Sequence, residues 1–404
     1  MDDLEIRNEI ASGLAGLDLS GKRIIMLIPD TTRTAPVAEM CRIVHDMLRE
    51  SGAKLDFLVA LGTHHPMSRE DLLHHVGATA EAYNVMYAGS SIFNHNWSDT
   101  TELAEIGEIS ASSISMLTGG ILNEGTRIAI NRHILDYDHI LILGPVFPHE
   151  VIGFSGGNKY IFPGICGPEF IDFFHWLAGL IGSMDLIGVL DNPVRRLVEQ
   201  AADLVPVPTT ALSMVVLEDG TLDGLYVGPT RESWKKAANH SARVHIIYKP
   251  RLFKRVLACV APMYHDLKLA IKAICKCEPV VEDGGELIIY GPQVTSLSHA
   301  RPEVLQRVGC HVRDYFLCNM ERFADVPRGV LATACYLKGK GTYEGGREKT
   351  RIQIKFATGV TRELCNEVNL EYVDPTSINI NDWRNHENEG ILLVENAGEI
   401  AYRY

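Results

Sequence analysis

Three times in its first 150 residues the chain runs from a short apolar stretch, through a polar or glycine-containing turn, into a helical period. RIIMLIP (23–29) leads through DTTRTAP into AEMCRIVHDMLRESG. KLDFLVALG (54–62) leads into THHPMSRED, where Ser68 and Asp71 have the spacing of a helix cap before LLHHV. HILILG (139–144) leads into PVFPHEVIGFSGG. Buried strands alternating with helices predict an α/β fold built on a doubly wound, mostly parallel sheet. In such sheets ligands bind at the carboxyl ends of the strands. Asp30, Arg33, His64 and His149 all fall just past those predicted ends.

The chain has 404 residues, too many for one ordinary core. After the expected hairpin at 213–228, turning at Asp219-Gly220, and a helix at 231–244, a second α/β pattern begins. RVLACVAP reads as strand, DLKLAIKAICKC as helix, GELIIYG as strand, PEVLQRVG as helix and GVLATACY as strand. The glycine- and charge-rich KGKGTYEGGREK (338–349) reads as a mobile loop. The expectation is two α/β domains, 1–250 and 251–384, with mostly parallel sheets and an active-site cleft between them. The tail, 385–404, is expected to pack back on the first domain.

A formal charge of −13 opposes a general nucleic-acid or membrane-surface binder. Nine cysteines without a CxxC pair read as reduced thiols of a cytoplasmic protein. The N-terminal MDDLEIRNEIASGL is acidic and helical in pattern, unlike a signal peptide. The most apolar window, 170–190, carries Asp172, His175 and Asp185, so it reads as buried helix and turn rather than as a membrane span.

The segment FPHEVIGFSGGNKYIFPG (147–164) concentrates chemistry. It is no Walker A loop, because Tyr160 follows Lys159 and the spacing from Gly153 is short, and it is not GxGxxG. Glycines such as Gly156 and Gly157 let backbone approach a phosphate or a planar ring. A lysine at the end of such a loop can bind an anion, act as a base or carry a covalent group. His64 and His149, on loops, suit acid–base work near neutral pH. His175, inside the apolar IDFFHWL, is either a core histidine or a ligand for nickel, zinc or copper. Lys268, Lys272 and Lys276 share one helical face, which is either solvated or holds an anionic substrate.

PDTTR, LGTHHPMS, the GFSGGNK…PG segment with His149 ten residues before Lys159, and His175 sixteen residues after it together resemble the nickel-pincer nucleotide-dependent lactate racemase family. The resemblance runs from residue 30 to the AGE segment at 397–399. It implies a pyridinium thiocarboxamide/thiocarboxylate mononucleotide attached to Lys159, made by dedicated cofactor-synthesis enzymes, with Asp30, Gly156 and Gly157 in the cofactor-binding motifs. It implies nickel ligated by His175, and His64 and His149 exchanging the hydroxyl proton of a small 2-hydroxy acid. Arg33 and Lys272 would bind that substrate.

The family's second-domain helix carries a Tyr-Gln pair ahead of the substrate-binding lysine, where this chain has Lys268 and Leu269. Lys268 lies one turn from Lys272, so a larger or more acidic 2-hydroxy acid than lactate is expected. The expected activity is that of an isomerase, a racemase or epimerase acting at C2. The alternatives are a metal-dependent lyase or hydrolase acting on an organic acid, and a non-catalytic organic-acid-binding protein.

Overall fold

A computed structural model describes residues 1–404. The chain forms two compact units. One comprises residues 1–147, 155–171 and 195–244, the other residues 148–154, 172–194 and 245–404.

The first unit is built on strands β1 (Arg23–Ile28), β2 (Lys54–Val59), β3 (Ile92–Asn94), β4 (His139–Pro145), β5 (Thr209–Val216) and β6 (Leu222–Pro229). They lie in the order β6-β5-β4-β1-β2-β3. All neighbours are parallel except β5 and β6, the hairpin expected around Asp219-Gly220. Ile24 through Ile28 are completely buried, as a central strand covered on both faces requires. The helix Val37–Glu50 turns Met40, Cys41, Ile43, Val44 and Leu48 inward. From β1 the chain steps to β2 and β3 on one side, then returns to β4 on the other. Strand order therefore reverses between β1 and β4. The segments leaving those two strands, Pro29–Arg33 and Val146 onward, flank the switch point where open α/β sheets bind ligands.

The second unit carries an entirely parallel sheet of β7 (Phe253–Val260), β8 (Val281–Gly291), β9 (Gln353–Thr358), β10 (Glu371–Tyr372) and β11 (Ile391–Ala397), in the order β10-β9-β8-β7-β11. The helix Leu267–Cys277 starts at Asp266, whose carboxylate accepts the Leu269 N–H at 2.8 Å.

Two expectations are corrected here. GVLATACY is not a strand but part of the helix Arg328–Lys338. Val330 through Leu337 are all buried, so the run shows no amphipathic period, and a short apolar run reads equally well as a buried strand. The expected loop at 338–349 holds a hairpin, Gly341–Glu344 with Arg347–Thr350. Gly345 (φ 58°) and Gly346 (φ 78°) supply the two left-handed central residues of its tight turn. The C-terminal residues join the unit that begins again at His245. Leu392 and Val394 bury themselves as β11 pairs with β7, and Ala401–Arg403 pairs with Ile246–Tyr248, both within the second unit. No helix is long and apolar enough to cross a membrane.

Candidate active site

Past the end of β1, Asp30 is almost fully buried. Its Oδ1 accepts the Thr32 backbone N–H (3.1 Å) and the Thr32 hydroxyl (2.6 Å), and its Oδ2 lies 2.5 Å from His64 Nδ1. Arg33 completes the group, donating from Nη1 to the Thr32 carbonyl at 2.8 Å. Burial pushes the Asp30 carboxyl up, but His64, Arg33 and the Thr32 hydroxyl together outweigh it and hold the group well below the usual carboxylate range. Asp30 is thus ionised and can only accept, which places a proton on His64 Nδ1, so that in the neutral ring the lone pair is on Nε2. Asp30, expected among the cofactor-binding motifs, is in this structure the partner of His64.

Lys159 lies in the short 3₁₀ turn Gly157–Tyr160. Gly156 (φ 82°) and Gly157 (φ 58°) both need the left-handed region. A Cβ on Gly156 would stand 2.6 Å from Val146 Cγ2, and one on Gly157 would stand 3.0 Å from Trp234. These glycines therefore make room for the protein's own packing. The Trp234 indole N–H donates to the Ser155 carbonyl at 2.9 Å, and the Arg195 guanidinium lies 3.9 Å above the indole. Asn158 donates to Glu199 at 2.7 Å, and Glu199 also pairs with Arg195 at 3.3 Å. Trp234, Arg195 and Glu199 were not among the residues sequence reasoning singled out. The one available signal was an isolated large aromatic in the otherwise polar helix RESWKK. Gly62 N–H donates to the Gly164 carbonyl at 2.8 Å, tying the His64 loop to the far end of the lysine segment. Asp30, Arg33, His64 and the Lys159 turn thus form one connected group within the first unit.

In the second unit, His149 ends a two-residue strand paired with Gly153–Phe154. Its Nδ1 accepts the Val151 backbone N–H at 3.1 Å. A neutral ring whose Nδ1 accepts must carry its proton on Nε2, the opposite tautomer to that of His64. Neighbouring Glu150 is buried, with Oε2 3.7 Å from His149 Nδ1 and 4.0 Å from Lys276 Nζ. Lys276 also donates to the Gly398 carbonyl.

The lysine face of helix Leu267–Cys277 is not a solvated one, because Lys272 and Lys276 are only 5% and 3% exposed. Lys272 Nζ lies 4.7 Å from the centre of the Tyr264 ring. Lys268 is partly buried. Burial lowers its pKa to about 8, with Arg301 adding to the fall while Asp266 and Asp172 oppose it. Asp172 accepts from Arg301 at 2.9 and 3.0 Å. His175 is half-buried on helix Pro168–Ile181, edge-on to Phe174 with ring centres 5.1 Å apart. No group of three or more His, Cys, Asp or Glu side chains is gathered for a metal ion.

Two α/β units, one on a mostly parallel sheet and one on a parallel sheet, with an Asp–His pair at the first sheet's switch point and a glycine-flanked lysine turn tied to it, define an open-sheet α/β protein. Comparison with known proteins shows what this framework resembles. Residues 6–183 match the lactate racemase N-terminal domain. The chain is 23% identical over 272 residues to the lactate racemase of Thermoanaerobacterium thermosaccharolyticum, a match covering 66% of this chain and 59% of that protein. It is 22% identical over 277 residues to the lactate racemase of Lactiplantibacillus plantarum, again over 66% of this chain and 59% of the relative. The matched region therefore spans less than two thirds of these relatives' length. Among solved structures, a protein of Thermotoga maritima superposes with a TM-score of 0.91 at 27% identity, covering 100% of this chain and 98% of that one. The lactate racemase apoprotein of T. thermosaccharolyticum superposes with a TM-score of 0.73 at 17% identity, over 99% of this chain and 93% of that one, and so shares the fold. The chain resembles the lactate racemase family in sequence and in fold, as its motifs led us to expect.

Proposed function

We propose that the protein is a racemase or epimerase that inverts C2 of a 2-hydroxy acid. The observation that carries this reading is the opposite state of two imidazoles. His64, held by Asp30 at Nδ1, can accept at Nε2 when neutral, and His149 presents an Nε2–H. A proton acceptor and a hydrogen-bond donor both serve in handling the hydroxyl of a secondary alcohol. In this reading His64 takes the hydroxyl proton at Nε2, and Asp30 stabilises the imidazolium without itself becoming protonated.

Inverting a carbon that carries no acidic proton of its own also needs a hydride acceptor. A nickel-pincer nucleotide, when bound, supplies that chemistry. The residues fit such a group. A lysine amine in a glycine turn has the chemistry for attachment, and one half-buried imidazole, His175, suits a metal that brings its remaining ligands with it. Asp30, Gly156 and Gly157 shape the surroundings of that attachment point. Arg33 and Lys272 bind the substrate carboxylate, Arg33 by its planar fork and Lys272 as a buried cation. Lys268, with Arg301 nearby, favours a substrate with a second anionic or polar group, such as a dicarboxylate or a sugar acid.

The test is to produce the protein together with the pincer-synthesising enzymes and nickel, then map its mass across residues 147–164 and assay inversion of lactate, dicarboxylate and sugar-acid 2-hydroxy acids. A mass gain on Lys159, absent in Lys159→Ala, with inversion of at least one substrate, is the expected result. Folded protein with an unmodified Lys159 and no inversion overturns the reading.

A further inference from the structure

His149 stands in a state that allows it to donate a hydrogen bond but not to transfer a proton. With Nδ1 accepting from the Val151 N–H, the ring's single proton is on Nε2. Giving that proton away would leave an imidazolate, and taking a second one there is impossible. To release a proton from Nε2 the ring must first be an imidazolium. To accept one at Nε2 it must first be the Nδ1–H tautomer. Both states place a proton on Nδ1, and the Val151 N–H, itself a donor, cannot receive it. An acceptor for that proton stands next to the ring. Glu150 Oε2 is 3.7 Å from Nδ1, too far for a hydrogen bond here and within reach of a small turn of the ring.

Glu150 is held from behind. Lys276, buried on helix Leu267–Cys277, brings a cation to 4.0 Å from the same oxygen, and a cation at that range favours the carboxylate form. Also facing Glu150 are the Cys275 thiol, from the same helix, and the Tyr336 phenol, from helix Arg328–Lys338. Burial pushes both well above their ordinary values, so they remain neutral.

We propose that Glu150, held by Lys276, is the positioning carboxylate of His149, disengaged in this structure and engaged when His149 transfers a proton, as Asp30 is already engaged with His64. This rests on the reading of His149 as a proton-transfer residue. In the working state His149 Nδ1–H donates to Glu150 and stays on the ring throughout. One proton passes between Nε2 and the substrate oxygen, and Glu150 neither gains nor loses a proton.

The test compares the full chain with Glu150→Gln and Glu150→Asp, using ¹⁵N NMR of the His149 ring between about pH 5 and 8 and steady-state kinetics of the cofactor-loaded enzyme. The wild-type ring should be the Nε2–H tautomer when neutral and should gain a carboxylate-bonded Nδ1–H on protonation. Glu150→Gln should protonate at least about tenfold less readily. Its kcat should fall roughly 10²-fold or more with KM little changed, and Glu150→Asp should recover part of both. An unchanged His149 protonation in Glu150→Gln overturns the proposal, as does a loss confined to KM. If the loaded wild-type enzyme inverts no substrate, the functional reading fails, and the NMR comparison alone still decides whether Glu150 governs His149. Should Glu150→Gln not fold, Glu150→Asp and Lys276→Met carry the same comparison, and wild-type protonation in both overturns the proposal.

Discussion

Asp30 Oδ2 lies 2.5 Å from Nδ1 of His64, and the contact fixes both the ring's orientation and its tautomer. An ionised carboxylate that already accepts two bonds from Thr32 has one role left toward the imidazole, which is to accept its proton. The nitrogen facing away is then the basic one.

Asp30→Asn is expected to keep the fold and lose the chemistry. An amide N–H facing Nδ1 favours the other tautomer and removes the charge that stabilises the imidazolium. The expected fall in kcat is about 10⁴-fold, by analogy with carboxylates in the same role. Asp30 also sets an acid limit on stability. Its pKa is lowered on folding, so its contribution is complete above the unfolded carboxylate value, about 3.9, and is lost as pH falls below it toward the folded value. Acid unfolding of Asp30→Asn should therefore be less steep than that of the wild type, and identical curves would refute this.

Gly156→Ala is expected to destabilise the first unit by about 1–3 kcal/mol, because the residue needs positive φ and its Cβ would meet Val146 Cγ2 at 2.6 Å. Adding Val146→Ala should recover the steric part and leave the backbone part. Denaturant titration of the two variants separates them, and equal stabilities would mean that Val146 is not the obstacle.

Trp234→Phe keeps most of the apolar surface under the lysine turn and removes the indole N–H bonded to Ser155. A loss of about 1–3 kcal/mol is expected, since a buried carbonyl is left without that donor. The variant should also lower the fraction of Lys159 that is modified when the protein is made with the cofactor-synthesis enzymes, read by intact mass. Wild-type stability together with wild-type loading would show that the turn does not depend on this brace.

Lys268 should act as a charge that fades just above neutral pH. Its pKa of about 8 means that it becomes neutral as pH rises through that value. For a dianionic substrate KM should rise across that range, while a monoanionic one should be affected less. Lys268→Met should remove the difference. The unfolded lysine binds its proton more tightly than the folded one, so the same residue makes stability increase with pH between about 8 and 10.4. A Lys268→Met variant with wild-type substrate preference at every pH would remove Lys268 from recognition.

What the sequence disclosed follows burial. β1, β2 and β4 are continuous apolar runs bounded by turns, so their positions and the loops bearing Asp30, His64 and His149 could be read directly. GVLATACY carries the same signal for the opposite reason, being a helix buried on nearly every side. The hairpin at 341–350 escaped because its strands are polar and exposed, and only its Gly345-Gly346 turn is specified. At the candidate site, the charged residues stood out by type. Their partners did not, because Trp234 reaches Ser155, and Lys276 reaches Glu150, across long stretches of chain that carry no local pattern. The lysine face stayed open between two readings for the same reason, since regular spacing of cations does not reveal that two of them are buried.

The edge strand β11 has a consequence for how the protein is made. β7, at residues 253–260, has β8 on one side and β11 on the other, and β11 is made long after both. Gly398, whose carbonyl holds Lys276, follows immediately. The second unit, with His149 and His175 in its early segments, is therefore finished only by its latest ones. On the ribosome, the first unit's sheet can assemble while these two histidines still wait for their surroundings, and a nascent chain halted before residue 391 would present β7 as an open, sticky edge.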